Sequence, residues 1–484
     1  MQSLVEYLAF HAKNTPLVKA VIANGKELTY SKLWDAVRSF ADYLNKNGIK
    51  KGDRVIVKGA HTVEYAVCCY AIHLCGAVFV PVESNLKPLG VAEIAERMSA
   101  SFIISNEDPE CGIKFLDQKE VEKIYTEKTS AEFDFPTADM NGDILFTTGT
   151  TGKSKGVLLS HLNLVAIAKT RTEGTEMKKD NVFLVTVPMN HSGGISKLHM
   201  SVYNGSTIVM LNGFMNLKWF FKAIEDYKVS SLYLPPSAVR MLIQLGGEEL
   251  KKYKDQIDFV YSSSAKYPES DKEKLCQVLP NSRLYNGFGG SEFGSACMLD
   301  YNKHPGMINC VGKPNNGVEL IITDENRKPK KSDADNTGLI AIKSDMNMMG
   351  YWDAPELTAE TMENGFIYTS DLGYIDENGY VFMVGRAGDV INVGGLKVAP
   401  TEVEEVALRC DGVKDCACLG VDDKRSGKVV KLLVVEKDGE TVDTKEIKKT
   451  LSKSLEAYKI PKIIEITDSI PRTFNGKIDR KKLH

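Results

Sequence analysis

Several features that would mark a large class of protein are scarce or missing here. The ten cysteines are scattered, and no Cys-X-X-Cys pair occurs among them, so a zinc site is not expected. No basic stretch followed by a long apolar run opens the chain, MQSLVEYLAFHAKNTP, so no secretory signal is expected either. Together these absences predict reduced thiols in a cytoplasmic protein. A basic excess is also missing. The 61 lysines and arginines stand against 64 aspartates and glutamates, a net charge of -3, which argues against a general nucleic-acid or membrane-surface binder. Long hydrophobic runs are nearly absent. The most apolar segment, YAVCCYAIHLCGAVFVPV at 65–82, contains His73, Gly76 and Pro81 and lacks basic flanks. It predicts a buried helix turning into a buried strand rather than a membrane span. No internal repeat or low-complexity tract is present.

What remains is an ordinary globular composition, 43% apolar and 26% charged over 484 residues, too long for one hydrophobic core. Strand and helix patterns alternate. Leu33, Val37, Phe40 and Leu44 recur at helical spacing, with Ser31 as the expected N-cap and Gly48 as the stop. RVIVKG (54–59), SFIIS (101–105), VFLVTV (182–187), SSLYL (230–234) and FVYSS (259–263) read as buried strands. The fold class is therefore α/β, with stacked, mostly parallel sheets in a large N-terminal domain. From about 309 to 387 short strands and Gly/Asn/Asp turns predict a β-rich subdomain. A small α/β domain is expected at 388–484. In it Thr401 and Glu404 have capping-box spacing ahead of a helix, and KLLVVEK, KEIKKTLSKSLEAY and KIIEIT follow as strand, helix and strand.

The most informative segment is FTTGTTGKSKGV at 146–157, where an apolar strand runs into glycines, threonines, a serine and two lysines. Glycines let backbone N–H groups approach an anion, hydroxyls add donors and lysines add charge, which together suit a polyphosphate. Gly152-Lys153-Ser154 matches the end of a Walker A loop. The first glycine of that motif should stand at 147, which is Thr147, so a Walker-type NTPase is rejected.

The segment resembles the signature of the adenylate-forming superfamily, which includes acyl- and aryl-CoA synthetases, amino-acid adenylation domains and firefly luciferase. Ser154 replaces the usual proline and leaves Lys155 in register. The resemblance continues in order along nearly the whole chain: VPMNHSGG at 187–194, YNGFGGSEFG at 285–294, Gly350-Tyr351-Trp352, YTSDLGYIDENGY at 368–380, the interdomain segment from Gly385-Arg386, and IPRTFNGKIDRKKL at 470–483. It implies an AMP-forming ligase. A carboxylate attacks the α-phosphorus of ATP, pyrophosphate leaves, and a thiol then displaces AMP.

Residue roles follow from the resemblance. Thr147 and Glu292 are the implied Mg²⁺ ligands, and hard oxygens suit that ion. Thr148, Gly149, Thr150, Thr151 and Lys155 are implied to hold the β- and γ-phosphates. Ser264, Ala265, Asn286, Gly287, Phe288, Gly289 and Ser291 are implied around adenine and its neighbours, with Phe288 stacking on the base. Asp371 and Arg386 would hold the ribose, and Lys477 would reach the carboxylate and α-phosphate. His191 is implied as the gate between the acid site and the nucleotide. The small domain would swing about a hinge that is Gly388 here, presenting Lys477 for adenylation or Gly394, Gly395 and Lys397 for attack by CoA. Ser263 stands where the family usually has glycine.

Amino-acid-activating relatives carry an aspartate beside the gate. Here Ser192 occupies that place, and an unpaired ammonium is costly to bury. A fatty or aryl acid without an α-amino group is therefore expected, with pocket residues drawn from 191–196, 233–240 and 262–290. The expected acceptor is CoA, and the alternative is the pantetheine of a carrier protein. Oxidation of the adenylate and a catalytically silent binding role are the remaining readings. No membrane span and no nucleic-acid partner are expected.

Overall fold

The computed structural model describes residues 1–147, 154–214, 216–394, 396–423, 427–472 and 477–483, with Lys397 and Lys481 described by their backbone alone. Two large sheets stack face to face. The first has 14 strands. Every neighbouring pair from Arg283–Gly290 through Phe259–Ser262, Ser231–Tyr233, Val182–Val185 and Thr207–Met210 to Lys19–Ala23 is parallel. Beyond Arg283–Gly290 the sheet turns antiparallel through Gly294–Asp300 and Cys310–Pro314 to Val381–Arg386, Phe366–Ile375, Gly338–Lys343 and Glu319–Thr323. This antiparallel end covers the stretch where the sequence texture changes.

The second sheet has seven strands. Lys114–Asp117, Phe102–Ser105, Arg54–Lys58, Val78–Val82 and Asn141–Thr147 run parallel, and Lys155–Ser160 and Gly350–Tyr351 are added antiparallel. One continuous core joins the facing sides of both sheets and the helices between them. Helix Val63–Leu74 lies in that layer and is buried along its whole length, as expected for a helix apolar on every side. It leads into the buried strand Val78–Val82, which accounts for the apolar run at 65–82.

The helix predicted around Leu33 spans Tyr30–Lys46, and Gly48 follows it with φ +92°. Its cap is not Ser31. Thr29 takes that position and accepts from the backbone N–H of Lys32, so the helix starts before the first residue of the apolar stripe. Among the described residues no helix is long and apolar enough to cross a membrane.

Residues 391–466 build a third sheet with its own core, in which Val398, Val403, Cys418, Leu432 and Leu451 are buried. The capping box at Thr401 and Glu404 does not form. Helix Pro400–Ala407 begins at Pro400 with no side-chain cap. Thr401 instead donates its hydroxyl to the Val384 carbonyl at 3.0 Å. Glu404 accepts from the Cys418 N–H and from the Arg480 guanidinium, both at 2.8 Å. Long-range partners outbid the local cap because a carboxylate this buried needs charged or amide donors on it. The following helix ends at Ser454, so the last residues of the predicted KEIKKTLSKSLEAY helix lie outside it.

Candidate active site

The glycine–threonine segment connects an antiparallel hairpin. Thr147 closes strand Asn141–Thr147 and lies opposite Lys155, the first residue of Lys155–Ser160. Both are half-buried. Thr148, Gly149, Thr150 and Thr151 lie outside the described residues. At the loop's far end the Ser154 carbonyl accepts from Arg97 at 2.9 Å, and that guanidinium sits 5.8 Å from the centre of the Phe146 ring. The loop is thus anchored where the usual proline is absent. An X-Pro bond stiffens the chain locally, and here a charge-assisted hydrogen bond restrains the same point.

Glu292 sits in the turn between strands Arg283–Gly290 and Gly294–Asp300. Its main-chain oxygen accepts from Met348 N at 2.8 Å, and its Oε1 accepts from the Tyr351 hydroxyl at 3.1 Å. The Lys155 ammonium lies 5.3 Å from the centre of the Tyr351 ring. Tyr351 therefore ties the hairpin at Thr147 and Lys155 to the glutamate. This role was not assigned from the sequence, although the Gly-Tyr-Trp motif containing it is conspicuous there.

The strand before Glu292 requires its glycines. A Cβ on Gly289 would come within 2.2 Å of the Gly294 carbonyl oxygen, and one on Gly287 within 2.6 Å of the Tyr261 ring. Asn286 is buried beside them, and the half-buried Phe288 ring packs at 5.6 Å, tilted, against Phe293. The Ser291 hydroxyl is 2.9 Å from that of Ser192. That contact joins the turn to the first residue of helix Ser192–Asn204.

His191 is the N-cap residue of this helix, half-buried, with its Nε2 3.4 Å from Asn190 Nδ2. Burial lowers its pKa, partly offset by Glu83 and by a hydrogen bond to the backbone of Phe146. The imidazole therefore favours its neutral form.

Asp371 and Arg386 face each other across two antiparallel strands, with Nε 3.4 Å from Oδ1. Burial raises the Asp371 pKa despite the opposing pull of Arg386 and Lys477. Lys477 comes from the other end of the chain. Its side chain is exposed by area, yet protein crowds the ammonium, and this desolvation lowers its pKa. Repulsion from Arg386 adds to the effect, and Asp371 and Glu292 oppose it. The ammonium thus stands within the electrostatic reach of all three predicted ligand-binding side chains.

Polar contacts between the small and large domains hold this arrangement. Lys266 donates to the Thr401 carbonyl at 2.7 Å and lies 3.6 Å from Glu405. Glu405 accepts from the Glu269 N–H at 2.9 Å. Asp415 bridges Arg240 at 3.5 Å and Arg472 at 2.6 Å. Gly388 lies in the turn Ala387–Asp389, where nothing stands within 4 Å of a Cβ built on it. Its φ is not in the left-handed region, so the observed orientation does not itself require glycine. Gly394 adopts φ +59° at the tip of the neighbouring hairpin. Gly395 and the side chain of Lys397 lie outside the described residues.

In the range expected to line the acid pocket, the Tyr233 hydroxyl lies 3.0 Å from both the Ser263 and the Ser264 hydroxyls. Ser264 adopts φ +82°, a conformation that favours glycine, and the paired hydroxyls hold it there. Ala265, beside it, is half-buried. The expected pocket range of 191–196 stops one residue short of Lys197. This side chain is fully buried, with its ammonium 4.0 Å from the Tyr233 ring centre and 4.9 Å from that of Tyr261. A lysine on a helix is usually solvated, and only its position among small residues hinted otherwise.

The profile of the AMP-binding enzyme family matches residues 8–352, and that of the AMP-binding enzyme C-terminal domain matches 402–477. A fatty acid–[acyl-carrier-protein] ligase, ScoC, of Streptomyces coeruleorubidus is 28% identical over 503 residues, covering 100% of this chain and 96% of its own. Acyl-CoA synthetase 7 of Caenorhabditis elegans is 29% identical over 523 residues, covering 99% of this chain and 94% of its own. Among solved structures, ATP-bound MatB from Rhodopseudomonas palustris superposes with a TM-score of 0.89 at 25% identity, covering 99% of this chain and 98% of that one.

Proposed function

The chain belongs to the AMP-binding enzyme family, and from that premise we propose that it is an AMP-forming acid–thiol ligase that joins a carboxylic acid to CoA. The observation that carries this reading is the convergence of Lys477, from the C-terminal segment, on Asp371, Arg386 and Glu292 of the large domain. An adenylation site needs a cation at the forming bond, a ribose anchor and a glutamate at the phosphates, all facing one nucleotide.

In this reading the acid's carboxylate oxygen bonds to the α-phosphorus of ATP, and the bond to the pyrophosphate oxygen breaks. Lys477 offsets the charge that builds on the reacting oxygens. Asp371 and Arg386 hold the ribose, Phe288 stacks on adenine, and Lys155 with the threonines before it receives the departing pyrophosphate. The thiolate of CoA then attacks the acyl carbon and AMP leaves. Thr147 and Glu292 fit a magnesium ion that arrives with the nucleotide. They offer a hydroxyl and a carboxylate, hard oxygens that suit an ion keeping phosphate oxygens and waters as its other ligands. Bound there, it would neutralise phosphate charge.

We place the domain boundary at 387/388, so that residues 388–484 form the mobile unit that turns about Gly388 between the two half-reactions. The electrostatic reach of Lys477 to Asp371, Arg386 and Glu292 supports the orientation seen here as the one for adenylation. The ten free cysteines fit a cytoplasmic enzyme. The acid lacks an α-ammonium, because Ser192, the residue beside the gate, is engaged with Ser291 and offers no anion.

A panel of carboxylic acids with ATP and purified protein, read by pyrophosphate exchange and then by AMP release with CoA, tests the reading. Acid-dependent exchange and CoA thioester formation are expected. Absence of exchange with every acid would overturn it. A second reading, transfer to a carrier-protein pantetheine, is favoured by the likeness to the Streptomyces ligase. Thioester on a carrier protein, with none on free CoA, would select it.

A further inference from the structure

Helix Ser192–Asn204 carries Gly193 and Lys197 four residues apart, hence on one face and one turn apart. That face looks at Tyr233. A Cβ on Gly193 would touch the Tyr233 hydroxyl at 3.6 Å and the Ser264 hydroxyl at 3.8 Å. One turn deeper, the Lys197 ammonium lies over the Tyr233 and Tyr261 rings. Hydroxyls and glycines gather about these two rings: Ser263, Ser264 and Gly193 at Tyr233, and Gly287 at Tyr261. A pocket for a plain hydrocarbon tail is lined with aliphatic side chains and keeps charge away.

The ammonium is fully buried, and among the described residues its hydrogen bond is a long 3.4 Å contact to Ser196 Oγ. Among the described residues no carboxylate stands within ion-pair distance of it. Asp143, the buried acid of this region, is taken by His73 at 2.8 Å and His199 at 3.3 Å. A second cation, Arg171, is also buried, with its Nε and Nη1 lacking hydrogen-bond partners, and it acts electrostatically on Lys197. Two buried cations without an anion are costly unless something supplies the missing charge. The tyrosine faces meet part of that need.

We infer that Lys197 is the recognition residue for a second carboxylate at the far end of the acid, so that the substrate class is a compact dicarboxylic acid. The inference rests on the ligase reading. One carboxylate meets the nucleotide at the level of His191, and the other meets Lys197. Six residues of helix separate those levels, a rise of about 9 Å, so the two carboxylates belong to a short chain or a single ring. Desolvation, which lowers the ammonium's pKa in the empty site, is offset when the distal carboxylate arrives, and a neutral methyl terminus offers no such compensation.

The test pairs each diacid with the monoacid of the same length: succinate with butanoate, glutarate with pentanoate, adipate with hexanoate, terephthalate with 4-methylbenzoate. Acid-dependent pyrophosphate exchange is measured for the wild type and for Lys197→Met, which keeps the side chain's bulk. In the wild type, kcat/KM for the best diacid should exceed that of its monoacid partner by about 30-fold or more, the loss typical when one member of a buried charge pair is removed. In Lys197→Met the preference should collapse or reverse, while ATP binding, read by calorimetry, stays. The wild-type comparison stands even if the variant does not fold. Exchange with monoacids and none with diacids would overturn the inference and leave the ligase reading intact. Equal diacid preference in the wild type and a folded Lys197→Met would overturn the role of Lys197. No exchange with any acid would overturn both.

Discussion

The group of residues proposed to hold the nucleotide and the group proposed to hold the acid are built in different ways. On the nucleotide side, charged groups pair with one another and stay partly open to solvent: Asp371 with Arg386, Glu292 with Tyr351, and Lys477 exposed by area above them. On the proposed acid side, Lys197 and Arg171 are buried and, among the described residues, unmatched by any carboxylate, with tyrosine rings beside Lys197. The difference teaches what each side has to do. A nucleotide brings several charges and is held by many contacts of moderate strength. A small acid is chosen by one or two desolvated contacts, whose worth depends on burial.

The contrast can be broken most strongly at Lys477. Lys477→Ala should reduce adenylation about 10²-fold or more, by analogy with other transition-state donors, while sparing thioester formation from supplied acyl-adenylate. Equal loss in both half-reactions, measured separately, would remove Lys477 from the nucleotide side. Asp371→Ala should raise the KM for ATP about 10- to 100-fold, the cost of losing a charged hydrogen-bond partner, with little change in the ranking of acids. A changed acid ranking would show that the two sides are not separate.

The stability of the fold should also depend on pH. His161 is fully buried, and neither ring nitrogen has a hydrogen-bond partner. Burial, aided by the charge of His73, lowers its pKa to about 3, so the folded state holds it neutral. An unfolded histidine takes up a proton near pH 6.5, so the stability tied to His161 is complete above that value. It is lost as pH falls from there toward 3. Between pH 7 and pH 5 this group alone should cost about 2 kcal/mol, seen as a falling melting temperature that is shallower in His161→Phe. A variant with the wild-type slope would assign the effect elsewhere.

The smallest effect is expected at the domain contact. Asp415→Asn weakens the bridge to Arg240 and Arg472, and surface pairs of this kind contribute about 0.2–1 kcal/mol. Adenylation should fall only a few-fold, and thioester formation should be unchanged or slightly faster. A fall in both rates would mean that the bridge supports the fold rather than the orientation.

The residues proposed for the nucleotide were nameable from the sequence, because they sit in short motifs that keep their order: Thr147, Glu292, Asp371, Arg386 and Lys477 each carry a local signature. Glu292, Asp371 and Arg386 act on the Lys477 ammonium, and Thr147 lies opposite Lys155. Tyr351 and Lys197 were not assigned roles. Tyr351 acts through a hydroxyl that reaches Glu292 from a strand of the other sheet, and Lys197 depends on two tyrosines brought by separate strands of the large sheet. The capping prediction at Thr401 failed for a related reason. Local spacing proposes a partner, and a buried carboxylate takes the strongest donor that the fold delivers.

The sequence by itself determined the alternating strand and helix pattern, the buried helix at 63–74 and the strand that runs into the glycine–threonine segment at Thr147, because periodicity and turn chemistry act over a few residues. It also carried the family, because ordered motifs survive without any knowledge of packing. Only the tertiary structure decided which charges meet. It set Lys477 near Asp371, left Lys197 without an anion among the described residues, and fastened Asp415 to Arg240. Burial and distance set the worth of a charge, and both are products of the completed fold.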